Sequence, residues 1–467
     1  MTFAAADQVL TVAQMVAAEE RLMDGGTDVH ELMQRAGRGA AEYVWRMAAG
    51  APHGHGVTVL CGPGNNGGDG YVIAEAIRER GGEVQVVAAR DPGTDAARRA
   101  ASLYRGRVAD AGDAKGWILV DCLFGTGLSR MLSDGMNALL AGLAARHHRT
   151  VAIDVPSGID SNTGAILAAN LPHYALCIAL GYWKRAHFLM PAMAHWDMAR
   201  LVDIGAAKAR GGAVTVSKPQ LSVPAPDAHK YRRGLVAVVG GAMSGAALLA
   251  SRAAAHGGAG YVKLLARGEC GAPDWLVVQS TGDDGLSDAL LDERIAAVLV
   301  GPGLGRDDNA RARLNAALAS GHRAVLDADA LMLLDRPAAG AILTPHEGEL
   351  SRLERHFGLS GGGKPDRAQA LARASGAVVV AKGPDTVIAA PDGRIAFAGK
   401  APSWLSVAGT GDVLAGLCAA RLAVTADAWA AANEAVWLHG EAARLAGPAF
   451  HAGNLADHVQ PAMANCL

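Results

Sequence analysis

Short apolar runs alternate with alanine-rich, helix-like segments along the whole chain. Most of these runs are continuously apolar, which is typical of strands that are covered on both faces. Strand–helix alternation of this kind predicts α/β domains with mainly parallel sheets, whose ligands bind where strands end and helices begin. The predicted strands are Val57–Cys61, Val84–Ala88, Trp117–Asp121, Val151–Val155, Leu235–Val239, Tyr261–Leu265, Ala297–Val300, Ala324–Leu326, Ala341–Leu343 and Ala377–Ala381.

A proline-rich segment near residue 217 divides this pattern in two. The stretch SKPQLSVPAPDAHKYRRG contains three prolines and few periodic apolar positions. Proline fixes φ and has no N–H to donate, so we predict a stiff, extended linker here. We therefore expect one domain over residues 1–216 and a second over residues 217–467.

The composition is that of a large folded protein. The 467 residues are 51% hydrophobic but only 4% aromatic, and 43 Lys and Arg face 45 Asp and Glu, for a net charge of −2. Such a chain has no basic field for nucleic acid, and its apolar runs are too short to span a membrane. Because it also lacks a signal-peptide pattern and paired cysteines, we expect a cytoplasmic homo-oligomer without nucleic-acid or membrane partners.

A glycine-rich loop with polar side chains follows the first predicted strand. The segment Gly62–Gly70, GPGNNGGDG, precedes a helix that we predict over Tyr71–Arg80. Glycines let the backbone approach a ligand, and the amino end of a helix offers N–H groups to a phosphate. Asn65, Asn66 and Asp69 add polar side chains that a pyrophosphate cradle does not need, and asparagine oxygens are good ligands for a hard cation.

Acidic residues end two further strands of the first half. Asp121 precedes the glycine-containing segment Phe124–Arg130, and Asp154 is followed by Ser157. Because the carboxyl ends of parallel strands share one edge of a sheet, we expect these groups to converge with Asn66. Converging oxygens suit a cation or a polyol, whereas capping of the next helix is the alternative for each residue taken alone.

The strongest pattern in the second half is Val407–Gly416, VAGTGDVLAG, at the start of an apolar helix. Gly409 and Gly411 would expose successive N–H groups to the charge on a transferred phosphoryl group. Asp412, in the same turn, can take the proton from an attacking hydroxyl. The segment Lys382–Thr386 follows a strand and is predicted to line a nucleotide, although the chain has no Walker A motif.

Other loops at strand ends add candidates to this site. His346 follows Pro345 in an extended turn, and Glu347 and Glu349 come directly after it. The two carboxylates would assist Mg²⁺, or they simply stabilise the start of a helix through its dipole. The remaining loops are Gly240-Gly241, Gly301–Gly305 and Asp327–Asp329.

The first half resembles the YjeF amino-terminal domain, the NAD(P)HX epimerase, over about residues 7–210, through GPGNNGGDG, DCLFGTGLSR and AIDVPSGIDSNTG. The resemblance implies a Rossmann-like three-layer sandwich that epimerises hydrated NADH and NADPH at carbon 6. Asp154 would be the acid/base, with Asp69 as second choice. Lys184 stands near a basic position of the family, in a stretch that departs from the expected glycine-rich pattern. The implied substrate contacts are Asn65, Asn66, Gly67, Gly68, Asp69, Gly125, Thr126, Gly127, Leu128, Ser129, Arg130, Met131 and Asp154, and the implied potassium ligands are Asn66, Asp121 and Ser157.

The second half resembles the ribokinase-like YjeF carboxy-terminal domain, the ADP-dependent NAD(P)HX dehydratase, over about residues 225–460. It departs from that family at Ala242, where serine is expected, and at Glu347, where proline is usual. The resemblance implies dehydration of S-NADHX and S-NADPHX at the expense of ADP with magnesium, giving AMP and phosphate. The implied substrate contacts are Ala246, Gly303, His346 and Asp412, and the implied ADP contacts are Lys382, Gly383, Pro384, Asp385, Thr386 and Gly411.

Two other functions remain open at this point. The chain also fits a ribokinase-class kinase of a small molecule fused to a non-catalytic nucleotide-binding module, because similar first-half domains are scaffolds in RNA-decapping proteins. A plain Rossmann dehydrogenase is supported by Asp91 after the second strand, but no residue for hydride transfer is recognisable. The sequence leaves open ADP or ATP as donor, NADHX or NADPHX as preferred substrate, and coupling between the sites.

Overall fold

The computed structural model describes residues 7–49, 56–205, 208–209, 211–282 and 284–467. The chain divides into two compact units, Met1–Val214 and Thr215–Leu467. Residues 216–234, all of them described, contain neither helix nor strand, as expected for the predicted linker. None of the helices in the described residues is long and apolar enough to cross a membrane.

Strands and helices alternate in the first unit. Its helices are α1 (Val12–Asp24), α2 (Val29–Ala48), α3 (Asn65–Glu79), α4 (Asp95–Leu103) and α5 (Asp134–Ala144). Its strands are β1 (Gln8–Leu10), β2 (Val57–Cys61), β3 (Val84–Ala88), β4 (Arg107–Val108), β5 (Gly116–Cys122), β6 (His147–Ile153), β7 (Tyr174–Leu180), β8 (Trp183–Lys184), β9 (Trp196–Val202) and β10 (Ala213–Thr215).

The main sheet of the first unit has seven parallel strands in the order β4-β3-β2-β5-β6-β7-β9. The strand order reverses between β2 and β5, and such a reversal leaves a crevice at the carboxyl ends of the two strands. The predicted glycine loop follows β2, and Asp121 lies at the end of β5. The topology therefore places both predicted segments at the crevice.

Apolar side chains cover both faces of this sheet. Val59 and Cys61 of β2 pack into a core that includes buried residues of α2 and α3. Leu60, between them, packs with Leu140 and Leu143 of α5 on the other face. Because successive strand residues point to opposite faces, the continuously apolar run VTVLC is buried on both sides. The predicted three-layer sandwich is confirmed.

The second unit has the same alternation with longer helices at its end. Its strands are β11 (Leu235–Val239), β12 (Tyr261–Ala266), β13 (Val277–Ser280), β14 (Ile295–Val300), β15 (Ala324–Leu326), β16 (Ile342–Leu343), β17 (Val378–Ala381), β18 (Val387–Ala389) and β19 (Ile395–Phe397). Its helices are α6 (Ser244–His256), α7 (Leu286–Ala289), α8 (Asp308–Ala319), α9 (Asp329–Leu333), α10 (Glu347–His356), α11 (Lys364–Ser375), α12 (Thr410–Thr425), α13 (Ala428–Ala446), α14 (Ala452–Asp457) and α15 (Val459–Ala464).

The sheet of this unit is mainly parallel, as predicted. Its order is β13-β12-β11-β14-β15-β16-β17-β18-β19, and only β18 and β19 run antiparallel to their neighbours. The strand order reverses between β11 and β14, which makes a second crevice. Helix α12 packs against both α6 and α13, which explains why it is apolar around most of its circumference.

Each of the ten predicted strands is present, although several boundaries are shifted, and two of the shifts have a clear physical reason. The strand predicted to reach Val155 ends at Ile153, because Asp154 has a φ of 69°, which is incompatible with an extended chain. The helix predicted to begin at Tyr71 begins at Asn65, so the predicted loop residues Asn65–Asp69 are helical. Glycine disfavours helices, and the packing of α3 overrides that preference.

Candidate functional sites

The glycines of residues 62–70 are required because other parts of the protein approach them closely. A Cβ on Gly62 would lie 1.8 Å from the carbonyl oxygen of Leu123, and one on Gly67 would lie 1.9 Å from that of Gly62. The space beside Gly68 is filled by a methionine side chain, whereas Gly64 has no neighbour within 4 Å among the described residues. The Cβ directions of Gly67 and Gly68 therefore face protein, and their contact with a substrate through the backbone stays a prediction.

The amino end of α3 is open for an anion. Gly64 precedes the helix, and within the described chain no side chain caps its first turn. The first N–H groups of a helix lack intrahelical acceptors and attract phosphate. Asn65 is held beside this end, because its Oδ1 accepts a hydrogen bond of 2.7 Å from Thr94 Oγ1.

Three loops at strand ends meet around Asp154, as predicted. This side chain is nearly buried, and its Oδ1 accepts hydrogen bonds from Lys184 Nζ and from the backbone N–H of Leu180 at 3.3 Å. A Cβ on Gly125 would lie 3.3 Å from both Asp154 Oδ2 and the side chain of Asn66. The loops after β2, β5 and β6 thus converge, and Oδ2 is the carboxylate oxygen that faces them.

Lys184 is the site residue that the sequence indicated most weakly. It is only 1% exposed, and its Nζ donates to Asp154 Oδ1 and, at 2.7 Å, to the carbonyl of Leu180. His187 supports the pair: its Nε2 donates to the carbonyl of Asp154 at 2.8 Å, and its Nδ1 accepts from the N–H of Lys184 at 2.9 Å. Burial, together with the charge of Lys184, lowers the pKa of His187 to about 4, so its ring is neutral. In the sequence, a lysine and a histidine three residues apart were the signal from which this pair could have been identified.

Asp69 and Asp154 lie in different electrostatic environments. Burial raises the pKa of Asp69 well above its ordinary value, and the carboxylates of Asp154 and Glu19 raise it further. Burial thus favours the protonated form of Asp69, whereas Asp154 forms a salt bridge with Lys184. The assignment of Asp154 as the acid/base, with Asp69 as second choice, stays a prediction. Glu19, on α1, was not identified from the sequence.

Asp121 joins the loops after β5 and β6. Its Oδ1 accepts from Leu123 N–H at 3.1 Å and from Ser157 Oγ at 2.6 Å. Its Oδ2 accepts from Ser157 N–H at 3.0 Å and from the Tyr174 hydroxyl at 2.7 Å. Burial raises the pKa of Asp121, although these four hydrogen bonds act in the opposite direction. The four donors occupy the lone-pair positions of a carboxylate.

Of the three predicted potassium ligands, Asn66 has a side-chain oxygen that accepts no hydrogen bond from the described residues. Its Nδ2 donates to the carbonyl of Ile153 at 3.3 Å, but its Oδ1 is buried and has no hydrogen-bond partner among the described residues. A buried acceptor without a partner costs about 1–3 kcal/mol, so water or a bound group is expected to satisfy this oxygen. A carboxamide oxygen fits a hard cation. The described residues contain no group of three or more His, Cys, Asp or Glu that could hold a metal.

The rest of the predicted substrate loop forms a turn after Gly125. The N–H of Leu128 donates to the carbonyl of Gly125 at 3.3 Å, which closes the turn. Thr126 and Leu128 are partly buried, and the exposed members are Gly127, Ser129, Arg130 and Met131. The loop therefore presents backbone and side chains to solvent beside the crevice.

The second site lies at the amino end of α12. Gly409 has a φ of 91°, and in the described part of the chain no side chain caps the helix. Thr410 Oγ1 donates to the carbonyls of Leu405 at 2.9 Å and Val407 at 3.0 Å, and His439 Nε2 donates to the carbonyl of Thr410 at 2.9 Å. Burial lowers the pKa of His439 to about 4, so this donor is neutral. These contacts fix the turn that contains the predicted phosphoryl-transfer motif.

Asp412 has the pKa of a base that works near neutral pH. Burial, reinforced by the charge of Asp327, raises its pKa to about 6, although Lys382 acts in the opposite direction. A Cβ on Gly411 would lie 3.5 Å from Lys382 Nζ. The carboxylate of Asp412, in the first turn of α12, therefore lies near a cation from the loop after β17, at a helix end whose N–H groups are open to an anion.

Lys382 connects the ends of three strands. Its Nζ donates to Asp327 Oδ1 at 2.6 Å and lies 3.9 Å from Glu349 Oε2. Burial alone would lower the pKa of Lys382, but these carboxylates raise it above its ordinary value, so the amine is charged. Asp327 also accepts from Thr344 Oγ1 at 2.7 Å. The sequence located these residues in separate loops and did not show that Lys382 and Asp327 form an ion pair.

His346 caps helix α10. Its Nδ1 accepts from the N–H groups of Gly348 at 3.0 Å and Glu349 at 3.3 Å, and its own N–H donates to Glu349 Oε2 at 2.8 Å. Glu347 pairs with Arg367 at 2.5 Å. Both glutamates are thus engaged by groups of the protein, which favours the helix-start interpretation over magnesium binding. The His346 ring remains largely exposed and available to a substrate.

The turn Lys382–Thr386 is rigid. Thr386 Oγ1 accepts from the N–H of Gly383 at 3.2 Å and donates to the carbonyl of Gly383 at 2.8 Å. Lys364 Nζ donates to Asp385 Oδ1 at 2.6 Å and to the carbonyl of Lys382 at 3.1 Å. Lys364 begins α11 and was missed by the sequence analysis. Its ion pair occupies Asp385, and Pro384 completes the exposed turn.

The other two predicted substrate contacts lie in neighbouring loops. Gly303 has a φ of 64°, and a Cβ there would lie 2.1 Å from the carbonyl of Met243. The N–H of Met243 donates to the carbonyl of Gly303 at 2.9 Å. Ala246 follows in the first turn of α6. The loops after β11 and β14 are therefore in contact at the second crevice.

Both halves of the chain match known families. The family described as YjeF-related protein N-terminus matches residues 29–186, and the family described as NAD(P)H-hydrate dehydratase matches residues 236–464. The matches and the two crevices together define the class of protein: two fused α/β domains, each with a crevice at the carboxyl ends of its parallel strands.

Relatives match the chain over nearly its whole length. A bifunctional NAD(P)H-hydrate repair enzyme of Salinibacter ruber is 33% identical over 94% of this chain and 92% of its own. One of Gloeobacter violaceus is 32% identical over 92% of each chain. This chain belongs to the family of bifunctional NAD(P)H-hydrate repair enzymes.

Among solved structures, an ADP/ATP-dependent NAD(P)H-hydrate dehydratase of Bacillus subtilis co-crystallised with ATP and Mg²⁺ has a TM-score of 0.47 and 27% identity, over 53% of this chain and 95% of that chain.

Proposed function

We propose that this chain repairs hydrated NADH and NADPH in two steps. The first unit interconverts the R and S forms at carbon 6 of the nicotinamide ring. The second unit dehydrates the S form to NAD(P)H while ADP becomes AMP and phosphate. The observation that carries the proposal is that each unit keeps an acid–base centre beside a lysine at its crevice, Asp154 with Lys184 and Asp412 with Lys382.

Epimerisation needs only a proton carrier. The hydroxyl on carbon 6 is next to the ring nitrogen, so removal of the hydroxyl proton opens the bond between carbon 6 and nitrogen, and the nitrogen takes up the proton. Closure on the other face of the resulting aldehyde inverts the centre. Asp154 Oδ2 carries the proton in both directions, which is worth ~10²–10⁴-fold. Lys184 holds the other carboxylate oxygen, and Asp69, whose pKa burial raises, would in its protonated form donate a hydrogen bond to the aldehyde oxygen.

We also propose that a potassium ion binds at Asn66, beside Asp121 and Ser157, the three residues that the resemblance assigns to it. Asn66 Oδ1 would be its direct ligand, because the oxygens of Asp121 already accept four hydrogen bonds. The buried Asn66 Oδ1, which has no partner among the described residues, supports this proposal. The bound ion would supply positive charge to an oxygen-rich crevice. Asp121 and Ser157 hold together the loops that surround Asn66.

Thermal unfolding tests the potassium proposal without an activity assay. A ligand that binds the folded state raises its stability, so replacing potassium chloride by sodium chloride should lower the melting temperature of the wild-type protein. Asn66→Ala should show no difference between the two salts. The same response in both proteins would contradict the proposal.

Dehydration needs a better leaving group than hydroxide. Asp412 takes the hydroxyl proton while the oxygen attacks the terminal phosphorus of ADP, and the bond to AMP breaks. The ring nitrogen then expels phosphate, and loss of a proton from carbon 5 restores the double bond. The charge of Lys382 and the first N–H groups of α12 stabilise the transferred phosphoryl group. Magnesium that accompanies ADP would neutralise further phosphate charge.

The test is recovery of NADH from a mixture of both NADHX epimers with ADP and magnesium. The wild-type chain should restore the NADH absorbance completely and release one AMP and one phosphate per NADH. Asp412→Asn should slow the recovery of both epimers by ~10²–10⁴-fold. Asp154→Asn should leave the S form unaffected and slow the R form to its spontaneous inversion.

Three outcomes would contradict the proposal. Equal slowing of both epimers by Asp154→Asn would contradict the division of labour between the units. A stable phosphorylated product would indicate a small-molecule kinase. Failure of the wild-type protein to return any NADH would refute the proposed function as a whole.

A further inference from the structure

A cavity of about 450 Å³ lies at the carboxyl ends of β11 and β12. It is lined by the turn Gly240–Ala242, by the first turn of α6 and by the segment Arg267–Cys270 after β12. A Cβ on Gly241 would lie 2.2 Å from the carbonyl of Leu304, so the cavity adjoins the loop that contains Gly303. The residues predicted to contact the substrate or ADP are not among those that line it.

Two guanidinium groups lie at this cavity. Arg267 lies in its wall, with its side chain 32% exposed, and donates to Asp307 Oδ2 at 3.2 Å. Arg313 is 1% exposed and donates to the carbonyls of Gly240 and Gly282, each at 2.9 Å. Because both glycines line the cavity, a single layer of backbone separates the charge of Arg313 from it. Charges buried in protein are screened much less than charges in water.

The wall also contains a carboxylate, from Glu269. A guanidinium binds phosphate through two parallel N–H groups, and a carboxylate accepts hydrogen bonds from sugar hydroxyls. Arg267 and Glu269 are two positions apart after β12. A cavity with both groups is suited to a phosphorylated ribose, and its volume is within the range of small-molecule sites.

We propose that this cavity binds the adenosine ribose of the dinucleotide substrate and that Arg267 recognises its 2′-phosphate. The second unit then repairs NADPHX more efficiently than NADHX. This inference rests on the dehydratase function proposed above. NADPHX and NADHX differ only in the 2′-phosphate. The contact with Arg267 therefore forms with NADPHX and not with NADHX.

The experiment compares the two substrates at saturating ADP. Arg267→Gln should raise the KM for S-NADPHX by about 10–100-fold, the range for a hydrogen bond to a charged group, and leave the KM for S-NADHX and both kcat values unchanged. Arg267→Lys keeps the charge and should show a smaller rise for NADPHX alone. Arg232→Gln is the matched control, because Arg232 pairs with Asp227 at 3.0 Å outside the cavity, and it should change neither substrate.

Equal rises in KM for both substrates, or no change for either, would overturn the assignment of the 2′-phosphate to Arg267. The proposed function would survive that result, because the wild-type protein would still return NADH from NADHX. If the wild-type protein repairs neither substrate, the proposed function itself fails. Thermal unfolding of each variant shows whether it is folded. If Arg267→Gln does not fold, the KM values of Arg267→Lys for the two substrates test the role of Arg267.

Discussion

At the scale of single residues, burial and neighbouring charge place Asp69 and Asp154 in different environments. Burial and nearby carboxylates raise the pKa of Asp69, which favours its protonated form. Asp154 is held against Lys184, with its backbone in a left-handed conformation that is uncommon for a residue other than glycine. Strain of this kind persists only where surrounding contacts enforce it, and here His187 and Lys184 supply them.

The pH dependence of dehydration should report Asp412. Its pKa is raised to about 6 and its ionised form is the base, so kcat/KM should fall as the pH falls through 6 and level off above 7. At pH values below 6, kcat/KM should decrease about tenfold per pH unit. An unperturbed aspartate would place the limb near pH 4, and a limb there would contradict the assigned environment.

The sequence identified the two aspartates that are proposed to react, but it indicated Lys184 only weakly and did not identify Glu19 or Lys364. Asp154 and Asp412 could be predicted because each stands at the end of a strand or the start of a helix, in a recognisable motif. Glu19, Lys184 and Lys364 are distant in the chain from the carboxylates they act on. Their proximity depends on how α1, β8 and α11 pack, which no local pattern encodes.

At the scale of secondary-structure elements, glycines determine how closely α3 approaches β5. Local preference predicts a loop at Asn65–Asp69, since glycine and asparagine are poor helix formers. Within the helix that the structure has there, a Cβ on Gly70 would lie 2.9 Å from the Cβ of Cys122 on β5. Before the helix, Gly62 lies against the carbonyl of Leu123, so glycine allows α3 to pack closely against β5 and the loop after it. The glycine density that indicated a ligand cradle thus has a packing role as well.

A matched pair of alanine variants separates these roles. Gly62→Ala would place a Cβ 1.8 Å from the carbonyl of Leu123, and it should destabilise the first unit by about 1–3 kcal/mol or more. Gly64→Ala has no neighbour within 4 Å among the described residues and should cost less than about 1 kcal/mol. Calorimetric unfolding measures both. Equal destabilisation by the two variants would contradict the packing role.

At the scale of the whole molecule, the same topological feature occurs twice. Each unit has a parallel sheet whose strand order reverses, between β2 and β5 in the first and between β11 and β14 in the second. In each, predicted motifs lie at the resulting crevice. The proposed activities are complementary, because the first unit converts the epimer that the second unit cannot use. The net charge of −2 is consistent with a chain that recognises small anions by local groups rather than by a global field.

The sequence by itself determined the α/β class, ten of the strands, the division into two parts and the motifs that contain Asp154 and Asp412. It could do so because strand burial and helix starts leave periodic and local signals in the chain. Only the tertiary structure decided that Lys184 holds Asp154, that Lys382 pairs with Asp327, and that Arg267 and Arg313 flank one cavity. These pairings join residues far apart in the chain, and their energies depend on burial that exists only after the sheets and helices have packed.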